Sequence, residues 1–253
     1  MIDSSKSAND ANPAAAADKT QFRFRWIAFD AVGTLIYPET PVAVAYQAVA
    51  ARHGSLLKVD EVERCFRMAF RFTESNPFPG GPTNRQLTMS NDEIEAARWR
   101  WIVRDLIHDL NDTEECFKEL FDHFARPSSW KCFDDVGPTL NLLQNAGYRL
   151  VVASNFDSRL HGIFDAIPEL KLIEQRVISS EVGFRKPDPR FYEALIRKCD
   201  CQPNELMMVG DDPEHDLAGP RAAGMSALLV TRSRFSNGPR SVSSLSELAD
   251  RLC

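Results

Sequence analysis

Short apolar runs, separated by helix-like segments, constrain the fold of this chain more than any other feature. The runs include "FRWIAFDAV", "YRLVVAS", "ELMMVGD" and "SALLVT". They are apolar throughout and lack the alternation of a strand with one solvated face, as expected for strands that helices cover on both faces. The pattern therefore predicts alternating strands and helices in a parallel sheet, with "SALLVT" as the last strand.

The segment between the first predicted strand and residue 128 differs in character. It contains no strand-like run, and four of its stretches have helical periodicity: "PVAVAYQAVAARHG", "DEVERCFRMAFRF", "NDEIEAARWRWIVRDLIHDL" and "EECFKELFDHFA". We therefore predict an α/β fold with a Rossmann-like parallel-sheet core over residues 21–38 and 128–253, and an inserted all-helical cap domain over residues 39–127. Because ligands of open α/β sheets bind beyond the carboxyl ends of the strands, such a cap would cover the site.

Composition argues for a small-molecule role. The 253 residues carry a net charge of -6 and 43% hydrophobic residues, so we expect no nucleic-acid partner, which would require a basic face. No apolar run approaches the roughly 20 residues that cross a bilayer, so we expect no membrane partner. Residues 1–20 resemble no secretory signal and are predicted to form a disordered tail. Six scattered cysteines indicate reduced thiols and a cytoplasmic location.

Chemically active residues follow the predicted strands at the point where each strand ends. They comprise a possible carboxylate nucleophile, hydroxyl and amide donors, one cation and an acidic cluster suited to a hard divalent ion. In chain order they are Asp30, Ser154, Asn155, Lys186, Asp211 and Asp212. Each residue alone has an ordinary structural explanation as a helix cap, turn former or solvated side chain. Their ordered combination at strand ends predicts one catalytic crevice.

Four motifs resemble those of the haloacid dehalogenase superfamily, in the branch with a helical cap inserted after the first motif. They are "FDAVGTL", "VVASN", "GFRKPDPRFYEAL" and "VGDDPEHDLAGPRAAGM". The resemblance covers residues 26–38 and about 148–232, whereas the cap matches only in position and helical character. It implies a Mg²⁺-dependent phosphohydrolase that acts on a small phosphorylated metabolite.

The resemblance also implies a role for each motif residue. Asp30 would attack phosphorus and form an aspartyl-phosphate, while Mg²⁺ offsets the repulsion between the carboxylate and the phosphoryl group. The implied metal ligands are Asp30, the backbone carbonyl of Val32, and Asp211, with Asp212, Asp216 and Thr34 around them. The implied phosphate-binding groups are Ser154, the amide of Asn155, and Lys186, which would also steady Asp30 during catalysis.

Val32 departs from the phosphatase pattern of the superfamily, which usually has a second Asp there to protonate the leaving group. Valine retains the backbone carbonyl but removes the proton donor, and general acid–base catalysis is typically worth about 10²–10⁴-fold. We therefore expect a substrate with a good leaving group, such as an acyl phosphate, or a different acid. The cap offers His53, His108 and His123 for that role.

Two alternatives remain open. Val32 is also compatible with a non-catalytic protein that binds a phosphorylated ligand in the same crevice. A metal-free 2-haloacid dehalogenase is the second alternative, because "FDAVGTL" is close to the "DAYGTL" form of those enzymes. Dehalogenases, however, carry Ser and Asn where this chain has Asp211 and Asp212, and without a cation these carboxylates would repel Asp30.

Overall fold

The computed structural model describes residues 24–84, 86–232, 238 and 240–253. The predicted disordered tail, residues 1–20, lies outside these ranges. The strands of the described residues are β1 (Trp26–Phe29), β2 (Ile36–Pro38), β3 (Trp130–Cys132), β4 (Arg149–Ser154), β5 (Gln175–Ile178), β6 (Leu206–Gly210), β7 (Ser226–Val230) and β8 (Ser241–Val242).

Helices precede, follow and connect these strands. Four of them lie between β2 and β3: α1 (Val42–Arg52), α2 (Val59–Ser75), α3 (Asp92–Leu106) and α4 (Thr113–Ala125). We call these four the helical unit. The others are α5 (Val136–Asn145), α6 (Arg159–Ala166), α7 (Ser179–Val182), α8 (Pro189–Cys199), α9 (Gly219–Ala222) and α10 (Leu245–Leu252), and a π-helical segment, Pro213–Ala218, precedes α9.

Six strands form one parallel sheet in the order β5-β4-β1-β6-β7-β8, which confirms the predicted α/β, Rossmann-like core. The expectation that "SALLVT" is the last strand is wrong, because β8 follows it and pairs with β7. A strand of two residues carries no recognisable pattern in the sequence. Strand β1 lies in the middle of the sheet, between β4 and β6. Its last residue, Phe29, is in register with Val152 of β4 and Val209 of β6, so the carboxyl ends of these three strands lie side by side.

The hydrophobic core occupies both faces of this sheet. Ile27 and Phe29 belong to one buried cluster, whereas Trp26 and Ala28 belong to another. Successive side chains of a strand point to opposite faces, so β1 is covered on both sides. Because both faces of β1 are buried, every position of the strand carries an apolar side chain, and the sequence shows an unbroken apolar run.

The helical unit connects to the core through β2 and β3, which pair antiparallel as a separate two-stranded connector (residues 36–38 and 130–132). The unit has its own buried cluster, centred on residues such as Val62, Ile102 and Leu120. The third predicted helix ends at Leu106, four residues before the end of its periodic segment. That residues 39–127 constitute a distinct cap domain remains a prediction.

Hydrogen bonds join the helical unit to the core at the N-terminal ends of α6 and α8. Asp92, at the start of α3, accepts a bond from the backbone N–H of Ser158 (3.0 Å), and Thr88 donates to Asp188 (2.5 Å). Arg159 donates to the backbone carbonyl of Phe121 in α4 (2.9 Å). Across the described residues, no helix has both the length and the apolar character needed to span a membrane.

Candidate active site

Asp30 stands at the carboxyl end of β1, where the chain turns sharply. Its backbone N–H still bonds Val209 of β6 (2.9 Å), so the carboxyl group leaves the sheet at its edge. Gly33 then has a φ of 90°, a conformation that side chains other than glycine rarely adopt. A Cβ at Gly33 would lie 2.4 Å from Oδ2 of Asp211. The turn after β1 therefore approaches the loop after β6 so closely that it requires glycine.

Lys186 lies at the centre of the site and uses all three of its N–H donors. Nζ donates to Oδ1 of Asp30 (2.8 Å), Oδ1 of Asp216 (2.6 Å) and the backbone carbonyl of Ala153 (2.9 Å). The side chain is almost fully buried. Although burial by itself lowers the pKa of Lys186, the two carboxylates outweigh it and raise the pKa above its ordinary value, so the ammonium is charged.

Asn155 fixes the backbone that carries Lys186. Its Oδ1 accepts the N–H of Lys186 (2.7 Å) and its Nδ2 donates to the carbonyl oxygen of the same residue (3.0 Å). The side-chain amide of Asn155 is therefore engaged in positioning the lysine, and its backbone N–H is the amide left for a ligand. The neighbouring hydroxyl of Ser154 has no hydrogen-bond partner within the described residues.

Three carboxylates gather around the lysine. Asp30, Asp211 and Asp216 each offer an oxygen atom, and these three atoms lie within 4.8 Å of one another. Burial raises the pKa of Asp30 to about 7, with Lys186 opposing the shift and Asp216 adding to it. Burial and the charge of Asp216 likewise raise the pKa of Asp211 to about 6. One ammonium does not balance three carboxylates, and this donor set fits a hard divalent cation.

Asp216 was predicted to lie outside the direct metal ligands. The structure places one of its oxygens within the acidic cluster, yet Oδ1 bonds Lys186 and Oδ2 accepts the backbone N–H of Asp212 (3.1 Å). Gly210 permits this approach, because a Cβ there would lie 2.2 Å from the Asp216 carboxylate carbon. Asp216 therefore anchors both the lysine and the loop after β6.

Asp212, Thr34 and Val32 were also predicted to belong to the metal site, and they differ in their contacts with the three clustered carboxylates. Oδ1 of Asp212 accepts the N–H groups of Glu214 and His215 (both 2.8 Å), so this side chain caps the following helix, as its ordinary structural explanation held. Thr34 Oγ1 lies 3.5 Å from Oδ1 of Asp211. Within the described residues, no hydrogen bond uses the carbonyl oxygen of Val32, which leaves that oxygen available to a cation.

A cavity of about 260 Å³ extends from the strand ends into the helical unit. Val32 and Asn155 line it on the core side. Aromatic side chains form most of the opposite wall, among them Phe66, Phe70, Trp99, Phe121, Phe124 and Trp130. Trp101, two residues from Trp99, faces elsewhere and stacks on Phe72 with ring centroids 4.9 Å apart. The cavity is the place where a substrate body would lie.

The cavity wall also contains five charged residues that no sequence motif predicted as site residues: Glu95, Arg98, Asp157, Arg159 and Arg185. Glu95 and Arg98 are three positions apart in α3, a spacing that usually indicates a solvated ion pair. Both are buried here. Among the described residues that line the cavity there is no histidine, so none of the three cap histidines faces it.

Comparisons with known proteins identify similar sequences and structures. A family model described as haloacid dehalogenase-like hydrolase matches residues 24–224. The haloacid dehalogenase-like hydrolase domain-containing protein 3 of Homo sapiens is 30% identical over 215 residues, which cover 83% of each chain. A glyceraldehyde 3-phosphate phosphatase of Methanothermobacter thermautotrophicus is 36% identical over 108 residues, 39% of this chain and 44% of the phosphatase.

A solved dehalogenase structure with an intermediate complex superposes with a TM-score of 0.69 at 21% identity, over 91% of this chain and 97% of that one. At this identity the likeness shows the fold alone. The comparisons thus include both a phosphatase and a dehalogenase, and the choice between these chemistries depends on the site residues.

Proposed function

The chain belongs to the haloacid dehalogenase-like hydrolases, and on that premise we propose that it is a Mg²⁺-dependent phosphohydrolase that acts through an aspartyl-phosphate at Asp30. The observation that carries the proposal is the cluster of Asp30, Asp211 and Asp216 around the single ammonium of Lys186. Relatives with phosphatase activity support a small phosphorylated metabolite as the substrate.

The residues present fit a magnesium ion. Carboxylate oxygens of Asp30 and Asp211 and the carbonyl oxygen of Val32 would hold it, since oxygen ligands are the ones that Mg²⁺ prefers. When bound, Mg²⁺ neutralises the carboxylates and reduces the repulsion between Asp30 and a phosphoryl group. Burial, together with the charge of Asp216, raises the pKa values of Asp30 and Asp211, and a bound cation would favour their ionised forms.

The protein's own residues divide the chemistry between them. An ionised oxygen of Asp30 attacks phosphorus, a new O–P bond forms, and the bond to the leaving group breaks. The hydroxyl of Ser154 and the backbone N–H of Asn155 donate to the phosphoryl oxygens, and Lys186 contributes its positive charge and donates to the phosphoryl group when it exchanges one of its three present acceptors. Water then attacks the phosphorus of the aspartyl-phosphate and the bond between phosphorus and the Asp30 oxygen breaks, so that the carboxylate of Asp30 is regenerated and the protons of the water leave with the phosphate.

Val32 determines which substrates suit this site. Its side chain lines the cavity and supplies no proton, so an alkoxide leaving group receives no help from this position. Acyl phosphates and aryl phosphates leave as weaker bases and need less protonation. We therefore propose that substrates with good leaving groups react faster than sugar phosphates.

Val32 also supports a second candidate function, a protein that binds a phosphorylated ligand without turnover. The metal-free dehalogenase is disfavoured, because two further carboxylates stand beside the attacking carboxylate of Asp30. We place the protein in the cytoplasm, a proposal supported by six free cysteines, and we treat residues 39–127 as a cap domain over the site.

The deciding experiment measures phosphate release from acetyl phosphate, 4-nitrophenyl phosphate and glucose 6-phosphate, with Mg²⁺ or with EDTA. We expect Mg²⁺-dependent release that is faster for the first two substrates and is lost in Asp30→Asn but retained in Asp105→Asn, which alters an exposed side chain. Binding of a phosphate analogue with no turnover of any substrate would support the binding protein. Halide release from 2-haloacids in EDTA would support the dehalogenase.

A further inference from the structure

Two buried guanidinium groups in the cavity wall share one carboxylate. Arg98 and Glu95 are 1% and 4% exposed, and Arg185 is 8% exposed. Glu95 lies 3.3 Å from Nε of Arg98 and 3.8 Å from Nε of Arg185. The other arginine in the wall, Arg159, has its own partner in Asp157 (2.7 and 2.6 Å). The lining therefore has one positive charge more than it has negative charges.

These guanidinium groups also have N–H donors without acceptors. Arg98 donates from Nη1 to the carbonyl and hydroxyl oxygens of Thr73, but its Nε and Nη2 have no hydrogen-bond partner among the described residues. Nε of Arg185 likewise has none, and no hydrogen bond from its side chain to the described residues is present. A buried donor without an acceptor costs about 1–3 kcal/mol, and more when it is charged. These three atoms are buried against protein, whereas the Nη groups of Arg185, which also have no hydrogen-bond partner among the described residues, are the donors that a ligand in the cavity could use.

The environment of Arg98 is consistent with uncompensated charge. Burial, together with the neighbouring charge of Arg185, lowers the pKa of Arg98 below its ordinary value, and Glu95 and the more distant Glu74 oppose that shift only partly. The remaining donor to Glu95 is the hydroxyl of Ser90 (2.8 Å), which is neutral. Among the described residues that line the cavity, the other carboxylate is Asp157, which is paired with Arg159, so Glu95 alone faces both Arg98 and Arg185.

The same cavity lies next to the catalytic residues, although Asp30 and Lys186 do not line it. Val32 and Asn155 line it at one end, and Arg185 directly precedes Lys186, the lysine that bonds Asp30. Aromatic rings form much of the wall in between. A molecule that fills the cavity would thus present one end to the catalytic carboxylate, an apolar body to the rings, and a polar group to Arg98 and Arg185.

We propose that Arg98 and Arg185 form a carboxylate-binding subsite, and that the substrate is a phosphorylated compound with an apolar body and a separate carboxylate. The subsite stands on geometry, whereas its use by a substrate rests on the proposed phosphohydrolase function. A carboxylate fits better than a second phosphate because it carries one negative charge, equal to the excess in the wall, while a phosphate group carries about −1.5 to −2. Guanidinium groups bind carboxylates through paired N–H···O bonds.

The test uses two aryl phosphates with the same phenol as leaving group: 3-(4-phosphonooxyphenyl)propanoate and its primary amide. With Mg²⁺ present, we expect kcat/KM to favour the carboxylate by about ten- to a hundredfold, the range expected for hydrogen bonds between charged groups. Arg185→Gln should bring this ratio close to one. Arg104→Gln, which changes an exposed arginine in the same helix as Arg98, should leave the ratio unchanged.

A binding measurement separates the two proposals. Calorimetry with 3-phenylpropanoate and 3-phenylpropanamide on the full-length Asp30→Asn protein needs no turnover, and we expect only the carboxylate to bind. Arg98→Lys keeps the positive charge if Arg185→Gln fails to fold, and should weaken carboxylate binding by about tenfold because a lysine cannot make paired bonds.

Each pattern of results has a distinct meaning. Turnover of both aryl phosphates at equal rates, with no binding difference between acid and amide, would overturn the subsite and leave the phosphohydrolase function standing. Selective binding of the acid without turnover of any phosphate would overturn the phosphohydrolase function and leave the carboxylate subsite standing. Equal binding of acid and amide overturns the subsite whatever the enzyme does.

Discussion

The Nζ atom of Lys186 lies 2.6 Å from Oδ1 of Asp216, closer than the 2.8 Å between Nζ and Oδ1 of Asp30. Asp216 therefore fixes the position of the ammonium. Lys186 contacts only one of the two carboxylate oxygens of Asp30. That arrangement leaves the second oxygen of Asp30 for attack on a substrate.

Lys186→Met should destabilise the protein strongly in EDTA. The substitution leaves Asp30 and Asp216 buried without their cation, and breaking a buried ion pair by removing one partner typically costs about 3–5 kcal/mol. Urea unfolding measures the loss. Lys198→Met, at an exposed position of α8, should have little effect. Equal stability of Lys186→Met and the wild type would contradict the central role of this ammonium.

Val32→Asp should raise turnover of alkyl phosphates such as glucose 6-phosphate. The new carboxyl group would lie in the cavity wall beside the site and could protonate an alkoxide, a contribution of up to about 10²–10⁴-fold. Steady-state kinetics with Val32→Asn as the control separates proton donation from a change in polarity, because the amide has nearly the same shape. A gain of the same size in both variants would show that proton transfer is not its cause.

Gly33→Ala should abolish most activity, because the added methyl group would overlap the Asp211 carboxylate. Gly183→Ala is a matched control: its φ of 92° is similar, yet a Cβ there has nothing within 4 Å. Both variants should lose about 1–2 kcal/mol of stability from the left-handed conformation, measured by urea unfolding. Only Gly33→Ala should also lose phosphate release. Full activity of Gly33→Ala would mean that the two loops do not need to approach this closely.

Asp188 should give the protein an acid-sensitive contribution to stability. Its hydrogen bonds with Arg190 lower the pKa of Asp188 to about 2, against burial, and the bond from Thr88 adds to the effect. Because the ionised form is the bonded one, its contribution is complete above the ordinary value of 3.8 and disappears as the pH falls from about 4 to 2.

Asp188→Asn tests this effect through urea unfolding at a series of pH values. At pH 7 the variant should be less stable by about 1 kcal/mol, because the amide keeps the helix cap but loses the charge-assisted bonds with Arg190, and the difference should shrink as the pH approaches 3. Asp134→Asn, which alters an exposed carboxyl group, should show no such trend. A difference that stays constant with pH would show that the charge of Asp188 is irrelevant.

The placement of the candidate site was predictable because strand ends are visible in a sequence. The interiors of β1, β4 and β6 are apolar, and polar side chains at their carboxyl ends, such as Asp30 after β1 and Ser154 as the last residue of β4, mark where each apolar run stops. Parallel strands then bring those residues to one edge. Four helices between residues 42 and 125 also matched their periodic segments, since each buries one face.

Other features depend on tertiary contacts that leave no local pattern. Strands β2 and β3 have three residues each, too few to show a period. Arg98 and Glu95 have the spacing of an exposed ion pair, and only the fold reveals that they are buried. Two hydrogen bonds connect the side chain of Asn155 with the backbone of Lys186. The two residues are 31 positions apart, so no spacing rule indicates these bonds.

The two-stranded connector, residues 36–38 and 130–132, has a mechanical consequence. Both passages of the chain between the core and the helical unit lie side by side in it and are hydrogen-bonded to each other. The bonds of Asp92 to Ser158 and of Thr88 to Asp188 lie on a different side. A rotation of the helical unit about this connector, with α1–α4 keeping their internal packing, would have to break these two bonds together with the bond from Arg159 to Phe121, the backbone bond from Ser90 to Gly183 and the ion pair of Arg185 with Glu95.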